Sequence, residues 1–411
     1  MAVEAVASSM DPIMRAIVTI SVLVFFAKVL GGAFSSFKLP PVIGELLAGV
    51  LLGPSMLGTA IVIFGEPLVL LNEFVDAFAE IGAIMILFSA GLEMGATSLR
   101  KAGIWAFIVA SGGALIPFIG GYYFFSWLGY PQGSALMVGA IMVATSLAIT
   151  VRVMEDFGAL LSDEGTLLVN AAVVDDVIGV IILTVVSSAL SDPSGKLDII
   201  NALRTASIFF IIWFFMLFIA VYIIPRFIER ASLIRVEGAV EAAAIGSAFI
   251  LSAIAAGLGL SPIIGSYVAG LAVAESKALV RIKDFVKHLN QVFSPLFFTV
   301  VGARVDVTVF NENVMASLLF FTAIAFVTKF LGAALSALPK LRSWKKSVRV
   351  GVGMVPRGEL GIVIASLGLR SGLITQPIYI QAIGMIILTS IIPPVILSRL
   401  YQSMEGVESI S

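Results

Sequence analysis

The chain has 411 residues, 59% of them hydrophobic and 12% charged, with a net charge of −1 and a mean hydropathy of +1.09. A water-soluble domain carries about 25% charged residues, so this composition excludes a surface built to face water, and the near-zero charge excludes a polyanionic partner such as nucleic acid. Cysteine is absent, which excludes disulfides, thiolate metal sites and cysteine nucleophiles.

From Met1 to Pro12 the chain holds Glu4 and Asp11 and no basic cluster, unlike the start of a secretory signal. Apolar runs then recur to the end, most of them near the roughly 20 residues that cross a hydrocarbon core of about 30 Å. The predicted crossings are 13–33, 40–58, 74–93, 104–128, 133–153, 164–190, 201–225, 237–259, 261–276, 286–305, 312–337, 346–369 and 374–398. The expected fold class is therefore all-α and polytopic, with about thirteen transmembrane helices. The second, ninth and tenth runs are short or interrupted. About seventeen Lys and Arg, among them Arg226, Arg230, Lys277, Lys345 and Arg399, fall on one side, and about four, including Arg15 and Arg204, on the other. Basic residues accumulate on the cytoplasmic side, so the N-terminus is expected outside the cell membrane and the C-terminus in the cytoplasm. The lone histidine, His288, lies in the charged stretch 281–288 and reads as a solvated loop residue.

Residues 39–49, Leu-Pro-Pro-Val-Ile-Gly-Glu-Leu-Leu-Ala-Gly, return at 260–270 as Leu-Ser-Pro-Ile-Ile-Gly-Ser-Tyr-Val-Ala-Gly, with six of eleven positions identical. Met142-Val143 and Met354-Val355 form a fainter echo at a similar offset. The second run pairs with the ninth, and this odd offset makes the two copies enter the membrane from opposite sides. Two inverted six-helix repeats joined by the seventh run are thus predicted, an organisation from which secondary transporters obtain inward- and outward-open states. The competing reading is generic small-residue helix packing.

An ionised side chain at the bilayer centre costs on the order of 3 kcal/mol, so each one in these runs needs a reason. Asp175 and Asp176 sit midway along the sixth run, in Asn170-Ala-Ala-Val-Val-Asp175-Asp176-Val-Ile-Gly179. Successive helical side chains point about 100° apart, so one acid can line an ion cavity while the other meets a neighbouring helix. Lys329 is isolated in the eleventh run. It either snorkels to the interface or pairs with Asp175 or Asp176. Pro356-Arg357-Gly358-Glu359 interrupts the twelfth run, because proline breaks the helical hydrogen-bond ladder. Non-helical backbone at that depth lines a cavity or is buried in protein. Arg357 and Glu359 either neutralise the exposed helix ends or take part in gating.

Taken together, several segments resemble the monovalent cation:proton antiporter superfamily. They are Pro40-Pro-Val-Ile-Gly-Glu-Leu-Leu-Ala-Gly-Val-Leu-Leu-Gly-Pro54, Leu87-Phe-Ser-Ala-Gly-Leu-Glu93, Ala144-Thr-Ser-Leu-Ala-Ile-Thr150, Val174-Asp-Asp-Val-Ile-Gly179, Val301-Gly-Ala-Arg304 and Pro356-Arg-Gly-Glu359. The nearest branch in pattern is that of bacterial Na+/H+ antiporters with an Asp-Asp pair and thirteen helices. The resemblance implies a dimerising scaffold (13–93 and 237–305), an ion-translocating core (104–190 and 312–398) and a linker helix (201–225). It implies that the fifth and twelfth runs are discontinuous helices that cross beside the aspartates. It implies a homodimer in the lipid bilayer that transports Na+ and H+, serves pH homeostasis and uses no cofactor. By that pattern Asp176 is the main Na+/H+ carboxylate, and Asp175 pairs with Lys329 and joins in holding Na+. Thr145, Ser146 and neighbouring carbonyls line the crossing.

Burial disfavours an ionised carboxylate and bound Na+ favours it, so H+ and Na+ are expected to compete for Asp176. Exchange follows if only occupied forms cross. Should Na+ draw Asp175 from Lys329, the lysine can release a second proton and exchange becomes electrogenic; otherwise the lysine is a static strut. Other classes considered are a K+/H+ antiporter or K+ efflux protein of similar build, an organic-anion symporter, an intramembrane enzyme, and a membrane sensor that moves no ion. An anion site would favour cations over an aspartate pair. Adjacent acids on one helix point apart and cannot share a hydrolytic water.

Overall fold

The computed structural model describes residues 11–37, 39–63, 66–95, 102–191, 199–305 and 312–408; some residues within helices, Glu359 and Arg370 among them, are described by their backbone alone. Helices occupy every predicted run. In chain order they are α1 (Pro12–Ser36), α2 (Pro41–Leu52), α3 (Leu57–Ala60), α4 (Glu73–Met94), α5 (Ile104–Trp127), α6 (Gln132–Val143), α7 (Leu147–Asp156) and α8 (Asp163–Ser191). There follow α9 (Ile199–Ala231), α10 (Ala239–Gly257), α11 (Pro262–Val273), α12 (Leu279–Ala303), α13 (Glu312–Leu341), α14 (Trp344–Gly353), α15 (Glu359–Arg370) and α16 (Gln376–Glu408). A two-residue ribbon, β1 (Val62–Ile63) against β2 (Glu66–Pro67), is the sheet seen among the described residues.

Local chemistry sets the helix ends. Asp11 accepts from Ile13 N at 2.8 Å to start α1, Asn72 from Val75 N at 3.0 Å to start α4, and Ser162 from Gly165 N at 3.0 Å to start α8. Each is a side-chain oxygen meeting an amide that has no partner within the first helical turn. Proline at the first position opens both α2 and α11, where its missing N–H costs nothing. His288, expected as a solvated loop residue, is exposed but lies within α12, which starts ahead of the predicted run. No Gly or Pro interrupts residues 279–294, and His288 Nδ1 lies 2.8 Å from Asp284 O along the helix.

Eight helical segments among the described residues are long and apolar enough to cross a membrane. Shorter are α2 and α11, which have twelve residues each, and more charged is α12, whose first half carries Arg281, Lys283, Lys287 and His288. Along α9, Trp213, Met216, Ala220, Ile224 and Ile228 are buried on one face, while Ile211, Phe214, Phe215, Phe218 and Tyr222 are exposed on the other. A helix apolar on both faces suits an outer environment of hydrocarbon.

The chain divides into two compact units, Met1–Ile86 with Asp284–Phe310, and Leu87–Lys283 with Asn311–Ser411. In the first, α2 packs on α1 so closely that a Cβ at Gly44 would strike the Leu30 carbonyl, and Gly49 meets Gly302 of α12. In the second, α11 packs on α10 in the same manner, Gly265 lying against the Leu251 carbonyl, and Gly270 meets Gly91 of α4. The two copies of the 39–49 pattern therefore take matching seats. Also in the second unit, α5 and α13 touch backbone to backbone at Gly112 and Gly332.

Candidate ion-binding site

Two helices are broken at mid-length, and their breaks cross. Residues 144–146 separate α6 from α7, and residues 354–358 separate α14 from α15. Pro356 accounts for the second break, since it offers no amide to the ladder. The first contains no proline; there the Thr145 hydroxyl is turned to Asp175 of α8 rather than to its own helix. The freed backbone is partly satisfied across the crossing: Ser146 N donates to Pro356 O at 2.7 Å, and Thr150 Oγ1 to Gly353 O at 2.7 Å. Gly358 leaves room for Ser146, whose side chain would stand 3.1 Å from a Cβ there.

Helix α8 brings Asp175 to this crossing and α13 brings Lys329. Both side chains are 0% exposed. Lys329 Nζ donates to Asp175 Oδ1 at 3.0 Å, to Asp175 Oδ2 at 2.9 Å and to Val143 O at 2.6 Å. Thr145 Oγ1 donates to Asp175 Oδ2 at 2.6 Å. Two charges removed from water hold together only when their remaining hydrogen-bonding capacity is met. Here a hydroxyl and the last carbonyl of α6 meet it. The ammonium points into protein rather than toward an interface.

Asp176 turns about 100° from Asp175 and is half-buried. Arg357, wholly buried, donates to Met142 O at 2.9 Å, Ala325 O at 3.0 Å and Val355 O at 3.0 Å. Its own carbonyl accepts from Ser390 Oγ at 2.8 Å. Carbonyls at the C-terminal end of a helix carry partial negative charge. At the end of α6, Lys329 meets Val143 O and Arg357 meets Met142 O. The side chain of Glu359 lies outside the described residues. Among those described, no three His, Cys, Asp or Glu converge as they would around a resident metal.

Sequence reasoning gave no role to Asn170, Tyr267 or Thr150. Asn170 Oδ1 accepts from the Tyr267 hydroxyl at 3.2 Å. The available signal was the repeat itself, in which Leu46 stands where the second copy has Tyr267.

Over most of its length the chain is similar to known proteins. The family profile described as Sodium/hydrogen exchanger, transmembrane, matches residues 20–402. The high-affinity Na(+)/H(+) antiporter NhaS3 of Synechocystis is 30% identical, over 94% of this chain and 90% of that protein. A Na(+)/H(+) antiporter of Enterococcus hirae is 32% identical, over 91% of this chain and 95% of the relative. The solved structure of the sodium proton antiporter MjNhaP1 from Methanocaldococcus jannaschii superposes with a TM-score of 0.66 at 18% identity, covering 97% of this chain and 99% of that one, and so shares the fold. The chain is a multi-pass membrane protein that belongs to the sodium/hydrogen exchanger family of monovalent cation:proton antiporters.

Proposed function

We propose that the chain exchanges Na+ or Li+ for H+ across the cell membrane by alternating access, with Asp176 binding cation and proton in turn. One observation carries this reading. Asp175, paired with Lys329, is wholly buried, and Asp176, the next acid on α8, is half-buried. An acid so placed keeps part of its surface accessible yet lies where bare charge is disfavoured. Either a proton or a Na+ relieves that cost, and the two compete. Thr145, Ser146 and the carbonyls freed at the breaks supply neutral oxygens for the cation. Asp175 becomes a second carboxylate ligand when it leaves Lys329, and the proton then lost by the lysine makes exchange electrogenic. The printed names of the two relatives support Na+ as the cation.

Residues 104–190 and 312–398 form the moving core in this reading, 13–93 and 237–305 the scaffold of a homodimer, and 201–225 the linker. The mutual packing of α5, α6, α8, α13, α14 and α16 supports a core that moves as a body. The matching seats of α2 and α11 support the inverted repeat. Distribution of Lys and Arg supports an external N-terminus and a cytoplasmic C-terminus. A C-terminal tag cleaved by added protease only in inside-out vesicles is the expected result, and cleavage in right-side-out vesicles would reverse the orientation.

Purified protein in liposomes with an internal pH dye tests the exchange. Na+ and Li+ should collapse an imposed pH gradient, K+ should not, and Asp176→Asn should abolish the signal. Equal action of K+ would make the chain a K+/H+ exchanger of the same build. Near-normal exchange by Asp176→Asn would defeat the assignment of that carboxylate.

A further inference from the structure

Asn170 precedes Asp175 on α8 by about one and a half turns. Its amide is used at both ends: Nδ2 donates back to Thr166 O at 2.8 Å, and Oδ1 accepts from Tyr267 of α11 at 3.2 Å. The two residues are 1% and 0% exposed. The Tyr267 hydroxyl also lies 3.5 Å from Met94 Sδ at the end of α4. Nearby positions on both helices, Ala171, Val174, Val268 and Leu271, are buried and apolar. Apolar contacts are non-directional, so those lost in one arrangement can be replaced by others in the next. A buried, directional hydrogen bond must instead break, which strands an amide oxygen away from water.

The repeat makes this contact one-sided. Aligning 39–49 with 260–270 sets Leu46 opposite Tyr267, and leucine has no donor. When the two repeats exchange roles, the mirrored hydrogen bond cannot form.

We propose that the Tyr267–Asn170 hydrogen bond is a latch that holds α8 on α11 in the conformer seen here and so sets the balance between the two faces of the exchanger, without touching the ion. This rests on the alternating-access reading above. Tyr267 and Asn170 are then positioning residues for the Asp176 helix. A net hydrogen bond of about 1 kcal/mol corresponds to roughly a fivefold bias between conformers.

The apparent affinity at either face is the intrinsic affinity reduced by the fraction of protein open to that face. Loss of the latch should therefore move the two apparent Na+ KM values in opposite directions and change their ratio about fivefold. Liposomes of uniform orientation, with Na+ applied from either side, would compare the parent with Tyr267→Phe, Asn170→Leu and the double variant. The double variant should shift the ratio no further than either single one, as coupled residues do. An unchanged ratio in Tyr267→Phe, or KM values that move together, would overturn the latch. Hydrogen exchange of the same proteins needs no transported ion. Amides near Asn170 and Tyr267 should lose about fivefold protection in Tyr267→Phe, and equal protection would also overturn the proposal. Lost protection in a chain that moves no Na+ would remove the Na+ reading while still supporting a bond that holds α8 on α11.

Discussion

Lys329 holds a charge at 0% exposure against Asp175 and the end of α6. Removing one partner of such a pair leaves the other uncompensated, at about 3–5 kcal/mol. Lys329→Gln should therefore lower thermal stability, and adding Asp175→Asn should restore most of it. The same Lys329→Gln protein should retain Na+/H+ exchange while losing transport current on a supported membrane. A current equal to the parent's would make the lysine a strut. Asp175, Asp176 and Lys329 were legible in the sequence because a charge in an apolar run has few inexpensive explanations. The carbonyls of Met142, Val143 and Val355 were not, since every residue carries one and only the fold says which are left open. Tyr267 and Asn170 escaped for a related reason: neutral polar groups carry little penalty on paper, and their pairing is a tertiary fact.

The two broken helices show how unevenly elements announce themselves. Pro356 marks one break directly, while 144–146 has only two hydroxyl residues and was expected broken through family resemblance. His288 shows the opposite case: its charged neighbours pointed rightly to an exposed residue, but charge does not forbid helix. Glycine patterns were more informative. At Gly332 an added Cβ would fall on the Gly112 carbonyl, a backbone atom that cannot swing aside. Gly332→Ala should cost about 3 kcal/mol and be visible as a sharply lowered melting temperature in detergent. Gly246→Ala in α10, where a Cβ meets nothing within 4 Å, should raise stability by up to about 1 kcal/mol. Equal melting temperatures for the two variants would contradict the close α5–α13 contact.

Across the whole molecule, composition alone gave the membrane class, and run lengths placed a helix in every predicted range. The number of crossings is harder to read from length and apolarity, because α2, α11 and the halves of the broken helices are short. Their brevity follows from the architecture, in which small residues bring backbones together and breaks free carbonyls that Lys329 and Arg357 then meet. The central claim is that one half-buried carboxylate takes Na+ and H+ by turns. Its most direct test is the apparent Na+ KM of reconstituted protein measured across a series of pH values. Competition predicts that KM rises as pH falls, approaching about tenfold per unit for each competing proton, while the rate at saturating Na+ stays constant. A KM that holds steady while the saturated rate collapses would contradict it.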